Sequence, residues 1–193
     1  EKAASQMPCS HFAIRPYPKE WQRHVALPDG RVVLIRPVRP EDEGLYERFF
    51  QHISRDDMRL RFFGPVKDTG HAFIARLTQI DYEREMAFIA TAPMADGGEE
   101  TLGVVRAMVD PDNVEAEFGI LIRSDMKGAG LGRRLMQKLI AFLRGRGTQR
   151  LVATVLAENV PMLHLAGQLG FAQPEEQSEP NTRRIELNLS APR

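Results

Sequence analysis

The alternation of apolar and polar positions divides the chain into short strand-like and helix-like segments. Arg31 to Arg36 reads Arg-Val-Val-Leu-Ile-Arg, an apolar run of strand length, and Pro37, Pro40 and the acidic Glu41-Asp42-Glu43 then open a helix. In that helix Leu45, Phe49 and Ile53 recur at every fourth position and share one face. A second helix is expected after Asp68-Thr69, which can cap it, with Phe73, Ile74 and Leu77 turned inwards. Met86 to Thr91, Leu102 to Val109 and Glu115 to Ile122 read as strands. They are separated by turns at Asp96-Gly97-Gly98 and Asp110-Pro111-Asp112-Asn113, the second of which closes an antiparallel hairpin.

A glycine-rich loop follows Ile122 and leads into a helix running to about Arg146. Leu131, Leu135, Leu139 and Phe142, with Ile140 and Leu143 beside them, give that helix a wide apolar stripe, and Gly145 and Gly147 stop it. Leu151 to Leu156 is a strand, Asn159 begins a helix that ends at Gly170-Phe171, and Arg183 to Leu189 is a last strand. Strand, two helices, three strands, helix, strand, helix, strand describes an α/β (α+β) fold, a mixed sheet with helices covering it. Residues 1–25, with prolines at 8, 16 and 18 and little periodicity, read as a linker or N-terminal extension, and 26–193 as one domain.

Composition narrows the function. A chain of 193 residues suits one domain and one main site. Lys plus Arg and Asp plus Glu both number 26, so there is no basic excess and no nucleic-acid partner is expected. Cys9 is the only cysteine, which leaves no intramolecular disulfide or cysteine metal cluster to build. No apolar run approaches the roughly 18 residues of a membrane span, and the first 20 residues lack a signal-peptide core; the expectation is a cytoplasmic protein with no membrane partner. His11, His24, His52 and His71 have no metal spacing, and no metal is expected.

Gly128, Gly130 and Gly132 alternate between a hydrophobic strand and an amphipathic helix, so backbone amides and the positive helix end can converge on a phosphate. Lys127, Arg133 and Arg134 add positive charge. A Walker loop would need Gly-Lys-Ser/Thr where Gly132-Arg133-Arg134 stands, and a dinucleotide fingerprint starting at Gly128 would need glycine at Arg133. Neither fits.

Lys127-Gly128-Ala129-Gly130-Leu131-Gly132 resembles the acyl-CoA signature of the GNAT acetyltransferases, Gln/Arg-x-x-Gly-x-Gly/Ala after a central strand, with lysine in the first place. The resemblance covers about residues 26 to 190 and includes Asn159 followed by Gly170-Phe171. It implies a GNAT fold, with a mostly antiparallel central sheet, and acetyl-CoA as cosubstrate. It places the CoA pyrophosphate on the amides of the loop from Lys127 through Gly128, Ala129, Gly130, Leu131 and Gly132 to Arg133. Ile120, Leu121 and Ile122 would pair with the pantetheine arm, and Asn159 would complete the cofactor site. Ala13-Ile14-Arg15-Pro16-Tyr17-Pro18, Ile35-Arg36-Pro37-Val38-Arg39-Pro40-Glu41-Asp42, Arg61-Phe62-Phe63-Gly64 and Ile80-Asp81-Tyr82-Glu83-Arg84-Glu85-Met86-Ala87 are similar to segments of bacterial Pat-type protein lysine acetyltransferases. In that group a larger portion resembling an acyl-CoA synthetase precedes the GNAT domain, which would account for the abrupt start. The protein substrate it implies is typically an acyl-CoA synthetase.

An amine acceptor with a pKa of about 10.4 must lose a proton before it attacks a thioester, at a cost of about 4 to 5 kcal/mol at pH 7. Glu115 and Glu117 lie two apart on one strand and so on one sheet face, where two carboxylates sharing a site raise one pKa and suit a general base. The resemblance favours Glu117. It also implies a tyrosine seven residues after the asparagine to protonate the thiolate, where Ala166 stands here. His164 is nearby, and Tyr82 sits in an acidic loop suited to a basic protein surface. Two other functions fit the same residues: acetylation of a small amine, which a closed acidic pocket would favour, and acyl-CoA sensing without turnover.

Overall fold

The computed structural model describes residues 16–66, 68–174 and 179–190; Cys9, His11 and the Ala13 to Arg15 segment lie outside them. Seven strands form one sheet in the order of the sequence: β1 (Arg23–Ala26), β2 (Val32–Pro37), β3 (Glu85–Pro93), β4 (Glu99–Val109), β5 (Glu115–Ile122), β6 (Arg150–Leu156) and β7 (Thr182–Asn188). Each neighbouring pair is antiparallel except β5 and β6, which run parallel because a helix crosses between them. Among the described residues five α-helices cover the sheet: α1 (Glu43–Gln51), α2 (Arg55–Phe62), α3 (His71–Thr78), α4 (Leu131–Gly145) and α5 (Val160–Gln168). The expected α/β class and mixed, mostly antiparallel sheet are what is found.

Each face of the sheet has its own core. Met86, Phe88 and Ala90 of β3 pack in a cluster with α4, while Ala87 and Ile89 pack with Tyr46 and Phe49 of α1 and Ile74 of α3. A strand covered on both faces loses its alternation, which is why Met86 to Thr91 is one apolar run. All six apolar positions of the expected α4 stripe are buried, with Met136 beside them; each such side chain contributes roughly 1.5–3 kcal/mol.

Two elements were not expected. The segment assigned to a linker contains β1, which pairs with β2 around a turn in which Gly30 takes φ 86°. The boundary at residue 25 therefore falls inside a strand. The second is α2, whose cap is Ser54: its Oγ accepts a hydrogen bond from the Asp57 amide at 3.1 Å.

Candidate active site

Strands β5 and β6 pair over only three positions, Glu115 with Arg150, Ala116 with Leu151 and Glu117 with Val152. Beyond Glu117 the strands part, although β5 continues to Ile122 along β4 and β6 continues to Leu156 along β7. Between them lies a cavity of about 680 Å³, lined by Phe118 to Ile122 on one side and Ala153 to Val155 on the other. Backbone groups on the inner edge of β5 are thus available to an extended ligand that adds to the sheet. Ile120, Leu121 and Ile122 all line the cavity; Ile120 and Ile122 also pack against the α4 cluster and Leu121 against the α1 cluster.

The glycine loop forms one end of the cavity. Gly128 and Gly130 both have φ 80°, a region where a side chain is strained, and a Cβ on Gly130 would also stand 3.2 Å from the Pro28 ring. The first helical bond of α4 runs from the Arg134 amide to the Gly130 carbonyl at 3.3 Å. The amides of Leu131, Gly132 and Arg133 precede it and have no partner within the helix. Lys127, Gly128, Gly130, Leu131, Gly132 and Arg133 line the cavity, whereas Ala129 packs against the main core. The expected positive charge is partly spent: the Lys127 ammonium is hydrogen-bonded to Asp57 of α2. A pyrophosphate fits this end, since free helix amides and Arg133 face it and no side chain fills the loop.

The two glutamates are separated by their partners. Glu115 is held by Arg184 at 3.1 Å and Arg150 at 3.4 Å and is not part of the cavity lining. Glu117 is exposed into the cavity, at the point where the strands part, and makes no ion pair or side-chain hydrogen bond among the described residues. The paired-carboxylate site expected from their spacing is therefore not formed, because two arginines from β6 and β7 claim Glu115.

Asn159 lines the cavity and caps α5, its Oδ1 accepting from the Met162 amide at 3.3 Å. Ala166 is turned into the core, 1 % exposed, so the position at which the resemblance implies a tyrosine does not face the cavity. His164 does line it, with its Nε2 2.9 Å from the Gln168 amide nitrogen. Tyr82 is turned inwards: its hydroxyl donates to the Val38 carbonyl, and burial pushes its pKa up to about 12. His52 contacts the Arg48 carbonyl at 2.9 Å, and His71 pairs with Glu43. Among the described residues no group of three or more His, Cys, Asp or Glu converges as a metal site would require.

Asp57, Leu60, Arg61 and Phe63, at and just beyond α2, also line the cavity, and none of them was assigned a role from the sequence. Ser54 followed by Asp57 was a capping signal. A larger hollow of about 1070 Å³ lies between α1, α2 and residues 65, 66 and 68–70; its lining includes neither β5 nor the glycine loop.

The comparisons agree with this geometry. Residues 32–172 match the family model "Acetyltransferase (GNAT) domain". An acetyltransferase of Pseudomonas aeruginosa is 34% identical over 146 residues, covering 76% of this chain and 78% of the relative. The crystal structure of the GNAT domain of S. lividans PAT superposes with a TM-score of 0.81 at 26% identity, covering 90% of this chain and 99% of that one. Spermidine N-acetyltransferase from Vibrio cholerae, solved with CoA and spermine, shares the fold at a TM-score of 0.65 and 19% identity, over 82% of this chain and 96% of that one. The chain belongs to the GNAT acetyltransferase family.

Proposed function

We propose that this acetyltransferase moves an acetyl group from acetyl-CoA to the ε-amine of a lysine on a protein, an acyl-CoA synthetase being the acceptor to try first. The observation that carries the reading is the position of Glu117, a carboxylate with no ion pair among the described residues, at the point where β5 and β6 part and in the same cavity as the glycine loop. Acetyl-CoA supplies the thioester. The loop amides and Arg133 bind its pyrophosphate, and the inner edge of β5 holds the pantetheine arm extended, which brings the thioester end towards Glu117. Glu117, directly or through a water, takes the proton from the acceptor ammonium, and a β5 amide near Ile120 to Ile122 polarises the carbonyl. His164, the ionisable side chain of α5 in the cavity lining, is the candidate to meet the departing thiolate.

The charge of the lining favours a protein over a polyamine acceptor. Arg61, Lys127 and Arg133 outnumber Asp57 and Glu117, and Asp57 is already bonded to Lys127. A polycation would meet repulsion where a closed acidic pocket would have welcomed it. The likeness to the S. lividans PAT domain supports the same choice.

The experiment is incubation of the chain with acetyl-CoA and a purified acyl-CoA synthetase, mapping acetyl-lysine by mass and inventorying free CoA. One acetylated lysine per released CoA is expected. Tight binding of acetyl-CoA without transfer to any protein or small amine would replace this reading with the sensing one.

A further inference from the structure

The cavity contains a cation that no carboxylate among the described residues holds. Arg61, in the last turn of α2, lines the cavity, and among the described residues its guanidinium makes no hydrogen bond or ion pair. Other cations of the site and its surroundings are held by carboxylates, Lys127 by Asp57, Arg106 by Glu85, Arg59 by Asp56 and Glu158, Arg150 and Arg184 by Glu115, while Arg133 of the lining meets Gln168 at 3.4 Å. What holds Arg61 is shape. It lies 4.8 Å from the Phe62 ring centroid and flat against Gly119 of β5, where an added Cβ would stand 2.2 Å from its Cζ and Nη2. Gly119 has no positive φ, so what a side chain here would displace is the Arg61 guanidinium resting on it, not the backbone.

Burial pushes the Arg61 pKa down, the Arg106 charge adds to this, and Glu117 opposes it. A guanidinium stays charged in proteins and has five N–H donors, so an anion that reaches this seat gains charge-assisted, bidentate hydrogen bonds. Gly119 and Glu117 are two apart on the same face of β5, about 7 Å at strand rise. Two residues beyond Arg61, Phe63 ends α2 in the left-handed region at φ 60° and stands half-exposed on the cavity lining; backbone strain of this kind is kept where the surroundings fix a site.

We infer that Arg61, seated on Gly119, is a carboxylate receptor for the acceptor, selecting an amine that carries a carboxylate close enough to reach Arg61 while the amine sits at Glu117. On a protein this is a lysine flanked by an aspartate or glutamate. The inference rests on transfer occurring at Glu117.

The test uses the full chain, acetyl-CoA and two peptides that differ only in Asp or Asn beside the lysine. The wild type is expected to favour the Asp peptide about tenfold or more in kcat/KM, mostly through KM. Arg61→Gln should bring that ratio to about one, Arg61→Lys should recover part of it, and Gly119→Ala should imitate Arg61→Gln by driving the guanidinium off its seat. Calorimetric binding of acetyl-CoA should stay within about twofold in the Arg61 variants, which a folding defect would not allow. A ratio near one in the wild type, or one that survives Arg61→Gln, overturns the receptor and leaves transfer at Glu117 standing. If neither peptide is acetylated, calorimetry with the peptides decides. An Arg61-dependent preference for the Asp peptide upholds the receptor while the transfer reading fails, and no preference overturns it. A preference for succinyl-CoA that vanishes in Arg61→Gln, with no acceptor preference, would move the carboxylate to the acyl group and overturn the acceptor assignment.

Discussion

The ammonium of Lys127, at the head of the glycine loop, is bonded to the buried carboxylate of Asp57 on α2, joining two cavity walls 70 positions apart in sequence. Ser124 donates to the other carboxylate oxygen at 2.5 Å. Burial alone would push the Asp57 carboxyl up; hydrogen bonds from Lys127 and Ser124, with Ser54 adding to them, outweigh it and hold the group below the ordinary aspartate range. The folded value lies below the unfolded one, so the stabilisation is complete above the unfolded pKa of about 3.9 and is lost as pH falls through the folded value. Asp57→Asn is expected to cost about 1–3 kcal/mol at pH 7 in denaturant titrations, with the difference from wild type closing below about pH 4.

Gly130→Ala should damage binding more than folding. The change forces a side chain into φ 80° and against Pro28, where the loop turns into α4. The strain is about 1 kcal/mol, while the displaced amides are those proposed to hold the pyrophosphate. Acetyl-CoA affinity measured by calorimetry is expected to fall about tenfold or more.

The reverse pattern is expected at Asp42. Arg36 and Asp42 are each 4 % exposed and joined by hydrogen bonds of 2.7 and 2.8 Å, and the Arg39 amide donates to the same carboxylate at 2.7 Å. Asp42→Asn leaves the buried guanidinium with only the longer 3.7 Å contact to the half-exposed Glu99 carboxylate and should cost about 1–3 kcal/mol of stability. None of these residues lines the cavity, so acetyl-CoA affinity of the folded variant should be unchanged.

The difference between α4 and α2 shows what the sequence could tell. In α4 the apolar residues recur at helical spacing, and burial follows. In α2, Met58, Leu60 and Phe62 alternate with charges, a period that fits no helix face; the helix is held by its Ser54 cap and by the Asp57 network across to Ser124 and Lys127. Because Arg61 and Phe63 belong to this helix and its cap, that wall of the cavity was not legible. Strand β1 offers only Val25 as a partly buried apolar residue and exists by pairing with β2. The glycine loop was legible in its local spacing, whereas spacing put Glu115 and Glu117 together on one face and only the family resemblance favoured Glu117. The engagement of Glu115 depends on Arg150 and Arg184, which only the register of three strands brings together.

That engagement separates the two acids in function. Glu115→Gln removes a partly exposed ion pair and should cost no more than about 1 kcal/mol of stability. Its kcat should stay within about threefold of wild type in a CoA-release assay.

The most direct test of the account is Glu117→Gln, comparing kcat with the dissociation constant of acetyl-CoA. Removal of the base while the loop and β5 edge are untouched should lower kcat about 10²- to 10⁴-fold and leave acetyl-CoA binding unchanged. A Glu117→Gln enzyme that keeps its rate would contradict the account, and the proton acceptor would have to be sought elsewhere in the cavity.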